Sequence, residues 1–228
     1  MQRPFRTALS LAMICGLLIF GAVPAAYAVP VLSLSDGIHP TVTITDEGLG
    51  DLASDPGAIL FYGSLGNFGI NITAGTTKPA IGSADQPILD ISSLNITSSG
   101  AGTLIITFSE TGFTGQVPAF TGSVGGTTTG TGVTYSALLG GTLLGTTGVL
   151  TGPSFSSVFF SNLGPTSFPY TLTQQIVITH STAGQITSVD AMLHAPEPAS
   201  LVLLGSGLLG MGLLGWRKKG LGFKVSSL

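Results

Sequence analysis

Apolar and polar residues alternate along much of the chain between residues 29 and 195. Thr41-Val42-Thr43-Ile44-Thr45 points Val42 and Ile44 to one side of an extended strand. Phe68, Ile70 and Ile72 alternate with Gly69, Asn71 and Thr73. Leu104, Ile106 and Phe108 alternate with Thr103, Ile105 and Thr107, a strand apolar on nearly both faces and therefore central. Tyr170, Leu172, Ile176 and Ile178 share one face, and Val189, Ala191 and Leu193 share another. Shorter strands are predicted at Ala58–Tyr62, Leu89–Thr97, Val133–Leu139 and Ser154–Phe160. Turn chemistry lies at Asp36-Gly37, Glu47-Gly48, Asp55-Pro56-Gly57, Ser99-Gly100, Thr111-Gly112 and Ala183-Gly184. Ile176–Thr179 and Val189–Leu193, joined through His180–Gln185, read as a closing hairpin. Roughly ten short strands in one domain predict an all-β fold, an antiparallel two-sheet sandwich of jelly-roll-like type.

Glycine and charge refine this picture. Gly122–Gly152 holds ten glycines among many threonines, with no fixed repeat, and reads as Gly-rich strands with long flexible loops. Residues 29–195 carry one base, Lys78, against nine carboxylates, a formal charge of −8. Such a body will not bind nucleic acid electrostatically. Thr111 to Val189 has no Asp, Glu, Lys or Arg, far from the charged surface of an ordinary cytoplasmic domain. That favours an extracellular setting and carries a risk of self-association. Cys15 is the single cysteine and lies outside 29–195, so no disulfide braces that body.

The two ends have a different character. Arg3 and Arg6 precede the apolar stretch Ala8–Val23, and Ala26-Tyr27-Ala28 is a small-x-small cleavage site, so residues 1–28 read as a signal peptide cut after Ala28. At the other end, Pro196-Glu197-Pro198 precedes Ala199–Trp216, 18 residues without charge. At about 1.5 Å per residue these just span a hydrocarbon core. Arg217, Lys218 and Lys219 form a basic stop that sets the C-terminus in the cytoplasm, and Trp216 suits the interface. Residues 220–228 follow as a short cytoplasmic tail. The prolines hold the chain extended just before the predicted transmembrane helix 199–216.

Pro-Glu-Pro, a short Gly/Leu-rich helix and a basic cluster together resemble the PEP-CTERM sorting signal, here over residues 196–219. The resemblance implies a protein exported by a Gram-negative bacterium, often one that makes extracellular polysaccharide. It further implies recognition and cleavage by a membrane-embedded exosortase near Pro196, Glu197 and Pro198. Gly220–Leu228 extends past the basic cluster, where members of this family usually stop sooner.

Candidate chemistry in the body is sparse. Asp46, Glu47, Asp51 and Asp55 cluster as carboxylates that suit Ca²⁺, although their spacing is not that of an EF-hand and loop turns explain the same residues. His39, His180 and His194 form no close metal-spacing pair, and no Gly-x-Ser-x-Gly elbow occurs in the body. Glu47 and Glu110 are the only glutamates there, with nothing to place them together as a hydrolytic pair. Tyr62, Tyr135 and Tyr170 are available for sugar stacking, but the body lacks Trp. Asn71-Ile72-Thr73 and Asn95-Ile96-Thr97 match a glycosylation pattern that chance explains in a bacterial protein.

The expectation is a non-enzymatic structural protein of the cell surface or extracellular matrix, without a cofactor. Export machinery, the membrane and an exosortase are its implied partners. The route runs from an inner-membrane intermediate with a periplasmic body to the surface or medium. The alternative is a carbohydrate-binding or adhesive sandwich, calcium-dependent or not, with extracellular polysaccharide as partner. An exported hydrolase using His39 or His180 is the third reading.

Overall fold

The computed structural model describes residues 29–196, 206–209 and 211. Ala26 and Ala28 of the predicted cleavage site, Glu197 and Pro198, the basic stop Arg217, Lys218 and Lys219, and the tail 220–228 lie outside the described residues. Residues 206–209 and 211 are helical and fall inside the predicted span, whose remainder also lies outside them. Among the described residues no helix is long and apolar enough to cross a membrane.

Twelve strands are described: β1 (Val31–Ser35), β2 (Val42–Thr45), β3 (Ala58–Leu65), β4 (Phe68–Thr76), β5 (Ile88–Ser98), β6 (Gly102–Phe113), β7 (Phe120–Thr128), β8 (Gly132–Leu139), β9 (Thr142–Thr146), β10 (Ser154–Ser161), β11 (Tyr170–His180) and β12 (Ile186–His194). They form two six-stranded antiparallel sheets. Sheet I runs β2-β1-β6-β11-β8-β9 and sheet II runs β10-β7-β12-β5-β4-β3. The last eight strands wind as a jelly roll, with β6-β11-β8-β9 in one sheet and β5-β12-β7-β10 in the other. β1 and β2 extend sheet I beyond β6, and β3 and β4 extend sheet II beyond β5.

The period-two pattern drives this arrangement. Leu104, Ile106 and Phe108 of β6 and Ile176 and Ile178 of β11 are fully buried. They share one core with Leu94 and Ile96 of β5 and Val189 and Leu193 of β12. Each such side chain contributes about 1.5–3 kcal/mol by leaving water.

Four expectations need correction. β11 and β12 do not form a hairpin, because they lie in different sheets. β11 pairs with β6 and β8, and β12 pairs with β5 and β7. Both strands bury an apolar face and need neighbours on both edges, which the crossover at 181–185 supplies. Thr111-Gly112 is not a turn but an irregularity inside β6. The register passes from Glu110↔Leu172 to Phe113↔Tyr170, and Gly112 takes φ 77°, where a side chain is strained.

Gly122–Gly152 does not hold long loops. It forms β8 and β9 and most of β7, joined by short connections. Its glycines make room for aromatic rings: a Cβ at Gly122 or Gly145 would collide with Phe159 of β10. The Phe159 ring, on the sheet II edge strand β10, thus packs against Gly122 of β7 and Gly145 of the sheet I edge strand β9. Finally, Tyr135 and Tyr170 are buried, and of the three tyrosines named above only Tyr62 is exposed.

Candidate functional site

The sandwich ends where its tail begins. β12 is held on both edges as far as its last residue, with His194 opposite Ile88 on one side and Thr121 on the other. The Ala195 amide then donates to Pro87 O at 3.3 Å, and Pro196 follows, half-buried. A cleft of about 440 Å³ flanks this exit, lined in part by Asp85, Gln86, Gln116 and His194. Pro196 is therefore the first residue of its motif to stand clear of the strand ladder.

The outer face of sheet II carries a polar row across the strands. Tyr62 is opposite Asn71, Asn71 opposite Asn95, and Asn95 opposite Ser188. Residues directly opposite in antiparallel strands point to the same face, about 4.8 Å apart from strand to strand. Tyr62 is 74% exposed, so its ring faces solvent at the head of this row. Asp90 and Asp190 lie on the same face. Burial and the Asp190 charge raise the Asp90 pKa, and Asp190 Oδ1 accepts the Ser93 amide at 2.6 Å. Uncharged hydroxyl and amide groups with one exposed ring can hydrogen-bond and stack a neutral polar ligand.

A third cluster is internal. Lys78 follows β4, and its Nζ reaches Glu110 Oε1 of β6 at 2.7 Å. Desolvation pushes the Glu110 carboxyl up to about 7, against the pull of Lys78. Asp46 lies near enough for its charge to add to that rise. Sequence gave no sign of this pair, since 32 positions separate its members.

The calcium candidates serve the loop instead. Asp46 Oδ2 accepts the Gly57 amide at 2.7 Å. Asp51 Oδ1 accepts the amides of Ala53 and Leu60, at 2.9 and 3.0 Å, and its Oδ2 accepts that of Glu47 at 3.0 Å. Glu47 and Asp55 are exposed on turns. Among the described residues no group of three or more His, Cys, Asp or Glu side chains converges to hold a metal ion.

His39 is exposed and pairs with Asp36 at 2.7 Å. The His39 amide and ring hold the Asp36 carboxyl down at about 2. His180 is buried, with Nε2 2.8 Å from Thr187 Oγ1, its ring 5.8 Å from Phe68, and its pKa lowered by burial. Glu47 faces solvent while Glu110 is buried on Lys78, so the structure gives them separate settings.

Several solved structures match this chain at low similarity. TmCBM61 in complex with β-1,4-galactotriose is 12% identical over 57% of this chain and 88% of its own, with a TM-score of 0.32. The mannan-recognising carbohydrate-binding module TmCBM27 is 12% identical over 57% and 89%, with a TM-score of 0.29. The arabinose-bound α-L-arabinofuranosidase MgGH51 is 14% identical over 59% of this chain and 23% of its own, with a TM-score of 0.33. None of the curated proteins matches the sequence. The tail is more specific: from the last residue of β12 onward, the chain carries a PEP-CTERM protein-sorting motif at residues 194–219.

Proposed function

We propose that this is a non-catalytic surface or extracellular-matrix protein, exported, held at the inner membrane by its C-terminal helix, and processed by an exosortase at Pro196–Pro198. The observation that carries the reading is the sorting motif starting where β12 ends. The strand ladder is complete at His194, before Pro196–Pro198, so cleavage at the prolines leaves the core and ladder intact. The charge-poor stretch Thr111–Val189 suits a body that ends up packed in a matrix. The test is the intact mass of the mature protein in cell-bound and released fractions of its host, where cleavage at both ends is expected.

The polar row on sheet II favours a second reading, in which the same body holds extracellular polysaccharide. Tyr62 would stack a sugar ring while Asn71 and Asn95 meet its hydroxyls. Affinity electrophoresis in gels cast with host polysaccharide tests it. Retardation lost in Y62A supports the reading, and equal mobility with and without polysaccharide removes it.

A further inference from the structure

Lys78 is the single basic residue between Val29 and Ala195, yet it is buried. Its Nζ donates to Glu110 Oε1 at 2.7 Å and to Thr111 O at 2.8 Å, and it lies 4.9 Å from the centre of the Phe113 ring. Thr111 falls in the irregular stretch of β6, between the register pairs at Glu110 and Phe113, which accounts for a carbonyl turned to the lysine. Glu110 is 1% exposed, and its second oxygen, Oε2, is buried with no hydrogen-bond partner. A buried ion pair recovers its desolvation only when the remaining lone pairs are also satisfied. Here one is not, so the pair is under-compensated and the buried carboxylate is disfavoured. The neutral pair that can react is one proton transfer away along the 2.7 Å hydrogen bond. The raised Glu110 pKa, with the Asp46 charge adding to it, acts in the same direction.

We propose that Lys78 and Glu110 condense into an intramolecular isopeptide bond between Nζ and Cδ. The neutral amine attacks Cδ of the protonated carboxyl. One N–H proton passes to the hydroxyl oxygen, the C–O bond breaks, and one water leaves. No oxidant or co-reactant is consumed. The product suits the site better than the ion pair does: the remaining N–H keeps Thr111 O as its acceptor, and both buried charges vanish. Holding the two groups together in the fold raises their effective concentration, which favours condensation. Lys78 follows β4 of sheet II and Glu110 belongs to β6 of sheet I, so the bond staples one sheet to the other. In a body without cysteine it would be a covalent brace that needs no redox chemistry.

The test is a chymotryptic digest of the full protein purified from its host, read by fragmentation mass spectrometry. The expected result is a branched peptide joining the Lys78 and Glu110 segments, lighter by one water than the two together. K78R keeps the cation but not the primary amine, and should give two linear peptides at full mass. Linear peptides at full mass from folded wild-type protein would overturn the proposal, as would a branch at Asp46 in place of Glu110. The wild-type digest decides the matter even if K78R does not fold.

Discussion

Replacing Tyr135 by Phe removes a single oxygen from the middle of the sandwich. Tyr135 and Gln174 are both fully buried. The Tyr135 hydroxyl donates to Gln174 Oε1 at 2.9 Å and approaches Met192 O at 3.3 Å. Gln174 belongs to β11 of sheet I and Met192 to β12 of sheet II, so one hydroxyl pins the sheets together. Burial raises the Tyr135 pKa, so the group stays a neutral donor. In Y135F the Gln174 carbonyl loses this donor, and Gln174 Nε2 already has no partner. A buried polar group left unmade costs about 1–3 kcal/mol, so Y135F should lose about 2 kcal/mol. For a body of this size that lowers Tm by about 4–8 °C. Substituting Met for Gln174 removes both stranded amide atoms at similar volume. Q174M should therefore recover part of the loss in the Y135F background while destabilising the wild type or leaving it unchanged. Urea unfolding of the four proteins, followed by circular dichroism, measures the coupling. A Y135F cost below about 0.5 kcal/mol, or an equal effect of Q174M in both backgrounds, would refute the polar pin.

Three further outcomes follow from the same structure. Burial lowers the folded-state pKa of His180 below its ordinary value, so the unfolded chain binds the proton first; stability is complete above about pH 6.5 and is lost as pH falls. Urea midpoints at pH 7 and pH 5 should therefore differ less in H180Q than in wild type. Gly57 takes φ 84°, and a Cβ there would sit 2.6 Å from Lys78 O, so G57A should lower Tm well beyond the usual effect of a surface change. β10 is an edge strand that carries no charged residue and on which Val158 and Phe160 are 68% and 61% exposed, so V158K should reduce light scattering of concentrated protein while changing stability by less than about 0.5 kcal/mol.

Much of the architecture is legible where one local rule acts alone. β4, β6 and β8 follow directly from alternation, and the sorting motif is a linear pattern that needs no fold to be recognised. β1 alternates as clearly, with Leu32 and Leu34 buried, yet it is not among the predicted strands. β7 and β9 were hidden because glycine replaces the side chains that would mark an inward face; the ring of Phe159 fills that space from another strand. Sheet assignment was not legible for β11 and β12. A short turn between two amphipathic strands fits either a hairpin or a crossover, and partners some 30 to 110 residues earlier decide it. A separation of 32 residues likewise concealed Lys78–Glu110, and composition alone could not tell exposed Tyr62 from buried Tyr135.

Intact mass of the mature protein from its host, measured on membrane and released fractions, tests the central claim most directly. The account predicts a product that begins at Val29 and ends near Pro196–Pro198. A product that ends at Leu228 and stays with the membrane would make the tail a permanent anchor and contradict exosortase processing.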